Sequence, residues 1–314
     1  MTRGHFIALA LLAACALLLP LATDDSYILS LMIFSGINAI VAIGLCILMG
    51  SAGQVSLGQA GFYGIGAYAS AILSQLFGLP VVAAICGAAV LSAAAAVILA
   101  VPSLRLKGHY LAVATLGFGE IVYIFLNEFG PGGPSGFGDI PPFSAFGVVI
   151  TESRHFAWLV WSVLILLIIF SLNMLNARPG RALRALHGSE TASSAVGLDV
   201  VALKIKVFVL SAIYASIAGS LYAHYVSFIS PSSFALFYSV LLLMMVVLGG
   251  ITTVWGGVVG AVLITLLPEP LKAFEELDVL VYGMILTLSL LFLRRGIVPM
   301  ITERFSSYRE NRSA

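Results

Sequence analysis

Runs of apolar residues about as long as a lipid bilayer is thick follow one another along this chain, and they decide what it can become. They lie at 5–22, 28–49, 61–77, 81–101, 109–127, 156–175, 206–226, 236–250, 254–268 and 279–293. A helix crosses the hydrocarbon core with about 20 apolar residues, in a range of about 17–25. In lipid every backbone N–H and C=O must find a partner inside the protein, so each run is expected to be helical. Only 9% of residues are charged, against about 25% in soluble domains, which excludes a water-soluble fold. The expectation is an all-α polytopic membrane protein, a single domain over 1–314 with about ten transmembrane helices. The eighth and ninth runs are short and separated by Gly249, Gly250, Thr252 and Thr253. They read either as two tilted spans or as one span and a re-entrant hairpin. The first run follows Arg3 and ends near Pro20, so a signal peptide competes with an uncleaved helix; the helix is preferred, since a multispanning protein needs no separate export signal.

Basic residues orient the spans. With ten spans and the N-terminus inside, Arg3, Arg105, Lys107, Arg178, Arg181, Arg184, Lys204, Lys206, Arg294, Arg295, Arg304, Arg309 and Arg312 fall on the cytoplasmic side. Only Arg154 and Lys272 fall outside, so 13 of the 15 basic residues share one side, the bias that membrane insertion imposes. Merging the eighth and ninth runs would put Arg294 and Arg295 outside, against that bias. Both termini are therefore expected in the cytoplasm, with a cytoplasmic tail at 294–314.

Between the second and third runs stands GSAGQVSLGQAGFYGIGAY, residues 50–68, with six glycines and the polar Gln54, Ser56 and Gln59. Non-helical backbone at membrane depth survives only where protein covers it or where it lines a wet cavity. Interrupted helices are also where many transporters place their pathway. The plainer alternative is close helix packing or an ordinary turn, and both readings stay open on composition. Gly249, Gly250, Gly256 and Gly257 flank ITTVW in a second interrupted stretch, which suggests an internal repeat.

Two connections are long. The segment 128–155, expected outside, carries GPGGPSGFGDIPP and reads as a set of turns on the membrane surface. The segment 176–206, expected in the cytoplasm, reads as two short helices. Pro179 opens the first, and Ser189 before Glu190–Ala195 with Gly197 behind bounds the second. Such a basic knob suits docking of a soluble partner. In the run that follows, Ser211, Ala215, Gly219 and Ala223 recur at every fourth position, as close helix packing requires.

The sequence holds no GxxxxGK[ST] phosphate loop, no HExxH, no GxSxG and no CxxC pair. Energy from ATP would have to come from another polypeptide, and no cofactor or metal is expected. Cys15, Cys46 and Cys86 lie in apolar runs and read as small buried hydrophobes. A net charge of +1 gives no sign of nucleic-acid binding. Glu120 is the acidic residue well inside a span, either a proton site or a structural hydrogen-bond acceptor. Asn38, Gln54, Ser56, Gln59, Thr115, Thr252 and Thr253 are the other polar groups near membrane depth. They either hydrogen-bond a passing zwitterion weakly or tie helices together.

GQVSLGQAGFYGIGAY at 53–68, RLKGHYLAVATLGFGEIV at 105–122 and LGGITTVWGGVVGAV at 248–262 resemble permease subunits of branched-chain amino acid ABC importers, most closely the M-type member of the two permeases. The resemblance covers roughly residues 28–293. It implies a bacterial inner-membrane complex with a second permease subunit, two ABC ATPase subunits that bind the ATP, and a periplasmic substrate-binding protein. It also implies an ATPase-coupling segment, in which Glu190, Ala192, Ala195 and Gly197 match the family's Glu, small residues and Gly; Thr191 and Ser193 depart from it. Gly53, Gln54, Ser56, Gln59, Glu120, Thr252 and Thr253 are expected on the substrate pathway, and Arg181, Arg184, Glu190, Ala192 and Gly197 at the ATPase contact. The alternatives are a permease for urea, short amides or other amino acids, and an ion-coupled secondary carrier using Glu120.

Overall fold

The computed structural model describes residues 3–103, 109–145, 147–267, 283–284, 287 and 296–300. Nine of the ten apolar runs form helices: α1 Arg3–Ala22, α2 Ser26–Cys46, α3 Gln59–Gln75, α4 Val81–Ser103, α5 His109–Phe129, α6 Ser153–Asn176, α9 Val200–Val226, α10 Leu236–Gly249 and α11 Val254–Leu266. Two short helices, α7 Arg178–Gly188 and α8 Glu190–Ala195, fill the connection from α6 to α9. The tenth run at 279–293, apart from residues 283, 284 and 287, lies outside the described residues. So do the tail at 294–314, apart from 296–300, and Arg105, Lys107 and Lys272.

Among the described residues seven helices are long and apolar enough to cross a membrane; the tract at Pro231–Gly249, which joins a 3₁₀ turn to α10, is one of them. The chain is a multi-pass, all-α membrane protein. The spans shorter than this, α3 and α11, are the two that follow the interrupted stretches. With seven helices long and apolar enough to cross among the described residues, the expected count of ten is approximate.

The centre of the bundle is α2 against α9, with α3 and α4 on α9 and α11 on α2. Thirteen residues of α2 are buried, among them Ile33, Ile37 and Ile40, and Leu48 is buried just beyond its end. The α3–α9 crossing is backbone against backbone: a Cβ on Gly66 would lie 2.2 Å from the Ser216 carbonyl, and one on Gly219 would lie 1.9 Å from the Tyr63 carbonyl. The small-residue spacing of α9 thus serves close approach. Polar side chains tie the helices at depth. Tyr238 Oη donates to Asn38 Oδ1 at 2.6 Å, and Asn38 Nδ2 donates to Thr265 Oγ1 at 2.9 Å, joining α10, α2 and α11. Ser171 and Tyr214 join α6 to α9 at 2.9 Å.

At one end of the bundle the connection 128–155 is built rather than slack. It contains a 3₁₀ turn at Gly133–Ser135 and an antiparallel pair, β1 Ser144–Ala145 with β2 Val148–Val149. Phe137 and Ile229 exchange backbone hydrogen bonds at 2.7 and 2.9 Å, fastening this connection to the one between α9 and α10. Arg154 pairs with Asp24 at the same end.

The opposite end carries α7 and α8. Leu183 and Leu186 of α7 are buried while Arg178, Arg181 and Arg184 are exposed. Ser189 Oγ accepts from Ala192 N–H at 3.2 Å to start α8, and Gly197 closes it with φ +82°. Helix α9 begins six residues before the expected boundary at 206, because Asp199 Oδ1 caps it by accepting from Ala202 N–H at 2.9 Å. Lys204 and Lys206 therefore belong to a helix and not to the loop.

Candidate translocation and coupling site

Helix α2 ends in a π-turn, Ile47–Ser51. Gly53 then takes a left-handed φ of +65°, which glycine adopts without penalty. Gln54 N–H reaches back to the Leu48 carbonyl at 3.2 Å, and the chain is non-helical until α3 starts at Gln59. Three hydroxyls satisfy the donors that this break frees. Thr115 Oγ1 of α5 accepts from Leu57 N–H at 3.0 Å, Ser56 Oγ from Gly58 N–H at 3.4 Å, and Ser239 Oγ of α10 from Ala60 N–H at 3.1 Å. The interruption is therefore a built element, gripped from two other helices.

Gln54, Ser56 and Gln59 are all buried. Gln59 Nε2 donates to Ser211 Oγ of α9 at 3.0 Å. The carbonyl oxygens of both glutamines have no hydrogen-bond partner among the described residues. A buried acceptor left alone costs about 1–3 kcal/mol, so two of them beside one break amount to stored acceptor capacity. They stand next to the N-terminal, partially positive end of α3.

The second interrupted stretch meets the first. A Cβ on Gly50 would lie 2.1 Å from the Ile251 carbonyl, so the two glycine-rich segments are direct neighbours. Thr253 Oγ1 caps α11, accepting from Gly256 N–H at 3.0 Å, and Thr252 is exposed beside it. Thr252 thus sits by Gly50, its Cα 3.2 Å from where a Gly50 Cβ would lie, and Thr253 follows it at the start of α11. Glu120 stands apart. Helix α5 faces the break through Thr115 and Gly119, and at 100° per residue Glu120 points roughly 140° away from Thr115. It is half-buried and makes no hydrogen bond or ion pair among the described residues.

The coupling candidates cluster at one end. Arg184 Nη1 donates to the Leu175 carbonyl at 2.8 Å, Arg181 is exposed, Ala192 N–H in the first turn of α8 donates to the Ser189 cap, and Gly197 lies just past the end of α8. Glu190 accepts from Lys204 Nζ at 2.6 Å. The last turn of α7 reaches the break itself, since a Cβ on Gly53 would lie 3.4 Å from His187 Nδ1. Sequence reasoning assigned no site role to His187, Lys204 or Ser239: Lys204 counted only toward the orientation of the spans, and nothing local to His187 or Ser239 marks a contact with the break. Ser211 stood out only as a small packing residue, and its hydrogen bond to Gln59 depends on how α3 crosses α9.

Over residues 27–290 the chain matches the family model described as branched-chain amino acid transport system / permease component. It is 36% identical to the high-affinity branched-chain amino acid transport system permease protein LivM of Salmonella typhimurium, with 84% of this chain and 68% of that one covered. It is 34% identical to the protein of the same name from Escherichia coli, with the same 84% and 68% covered. No solved structure matches it.

Proposed function

Because the chain belongs to the family of branched-chain amino acid transport permeases, we propose that it imports leucine, isoleucine or valine as one half of a two-permease pore in a bacterial inner membrane. A periplasmic binding protein delivers the solute, and two ATPases, which bind the ATP, supply the energy at the end that carries α7 and α8. That end is cytoplasmic in this reading, as are both termini. Specificity resides mainly in the delivery protein, and the pore needs only a weakly polar lining. Gln54 and Gln59 offer that lining, and their two unpartnered carbonyls are the observation that carries it. Movement of α7 reaches the break through His187 against Gly53.

Mild-detergent purification of this chain from its native host tests the class. Co-purification of a sister permease and two ATPases is the expected result; a chain that comes out alone and still moves solute would overturn the reading. Glu120→Gln in proteoliposomes separates it from an ion-coupled carrier. Uptake is expected to stay within about threefold of the unaltered protein and to ignore the proton gradient, because Glu120 faces away from the break. A loss that tracks the gradient would favour the carrier.

A further inference from the structure

We propose that Lys204 is a positioning residue whose ion pair with Glu190 locks α8 to α9, so that the two move as one lever. The proposal deepens the reading above and rests on α7 and α8 being the seat of the ATPases.

Helix α8 has six residues, and Ser193 alone among them is buried. A helix this short does not persist by itself. Its serine cap and Gly197 fix where it begins and ends but not how it is held against the bundle. That task falls to Lys204, whose Nζ lies 2.6 Å from Glu190 Oε1 across 14 residues of sequence. The lysine side chain is 11% exposed and the glutamate side chain 47%. A nearly buried ammonium needs a carboxylate, and Glu190 is the acidic group that supplies it among the described residues. The glutamate expected at an ATPase contact is therefore also paired to its own chain, with about half of its side chain still exposed.

Lys204 also shares a face of α9 with the residue that holds the break. Lys204 and Ser211 are seven residues apart, on one face of α9 and separated by about 10 Å along its axis. Ser211 receives the Gln59 amide at the first residue of α3. One rigid helix thus has the coupling helix clasped at its start and the interrupted segment held two turns further on.

The experiment compares variants in the reconstituted complex, reading solute imported per ATP hydrolysed. Lys204→Met and Glu190→Gln are each expected to lower that ratio about tenfold. Lys204→Arg should restore it, and so should the exchanged pair Lys204→Glu with Glu190→Lys. Glu190→Gln changes a half-exposed residue, so it decides the matter if Lys204→Met fails to assemble. A normal ratio in Glu190→Gln, or an exchanged pair as poor as the single variants, would overturn the clasp. Failure of the unaltered complex to import would instead overturn the reading on which it rests.

Discussion

Gly66→Val is expected to abolish the folded chain, with the variant recovered from membranes as aggregate in size-exclusion chromatography. The site for the new Cβ is occupied by backbone: the Ser216 carbonyl at 2.2 Å and its Cα at 2.5 Å. No rotamer relieves that clash, so α3 and α9 must separate along their length. Separation breaks the hydrogen bond from Ser220 Oγ to the Gly66 carbonyl at 3.0 Å and draws Gln59 away from Ser211. Overpacking a core ordinarily costs about 1–3 kcal/mol, and here the lost hydrogen bonds add to it, against a total stability of about 5–15 kcal/mol. Gly117→Ala is the matched control, because nothing lies within 4 Å of the place its Cβ would take; that variant should elute as the unaltered chain does. A well-folded Gly66→Val protein would mean that the crossing is looser than described.

Val196→Asp is expected to stop import while leaving the chain inserted and folded. Val196 is 77% exposed just beyond α8, on the surface assigned to the ATPases. Its replacement disturbs nothing inside the bundle. In a complex the new carboxylate would be covered without a partner, at a cost of about 3–5 kcal/mol. At about 1.4 kcal/mol per tenfold, that is more than a hundredfold in affinity. The ATPases should no longer co-purify. Normal import together with retained ATPases would place the docking surface elsewhere.

Much of the architecture was legible because lipid leaves a chain few choices. Apolar runs have to be helices, and nine of the ten are seen as such. The ends of α8 were readable from Ser189 and Gly197, because caps act over three or four residues of local sequence. What was not legible is long-range. Thr115 and Ser239 serve the break from 58 and 179 residues away, and nothing near them in sequence marks that duty. Likewise the two glycine-rich stretches suggested a repeat, yet their contact at Gly50 and Ile251 follows from how α2 and the α10–α11 pair are set side by side. Glu120 drew attention as an isolated charge. Its direction, away from the break, follows from the face that α5 gives to α3.

The amide of Asn38 has a consequence for biosynthesis. Its partners Tyr238 and Thr265 come 200 and 227 residues later in the chain. At about 5–20 residues per second of translation, α2 is made some 10–45 s before either partner emerges from the ribosome. During that interval a polar side chain midway along a hydrophobic segment has no native companion, so α2 must be sheltered by the insertion machinery until α10 and α11 arrive.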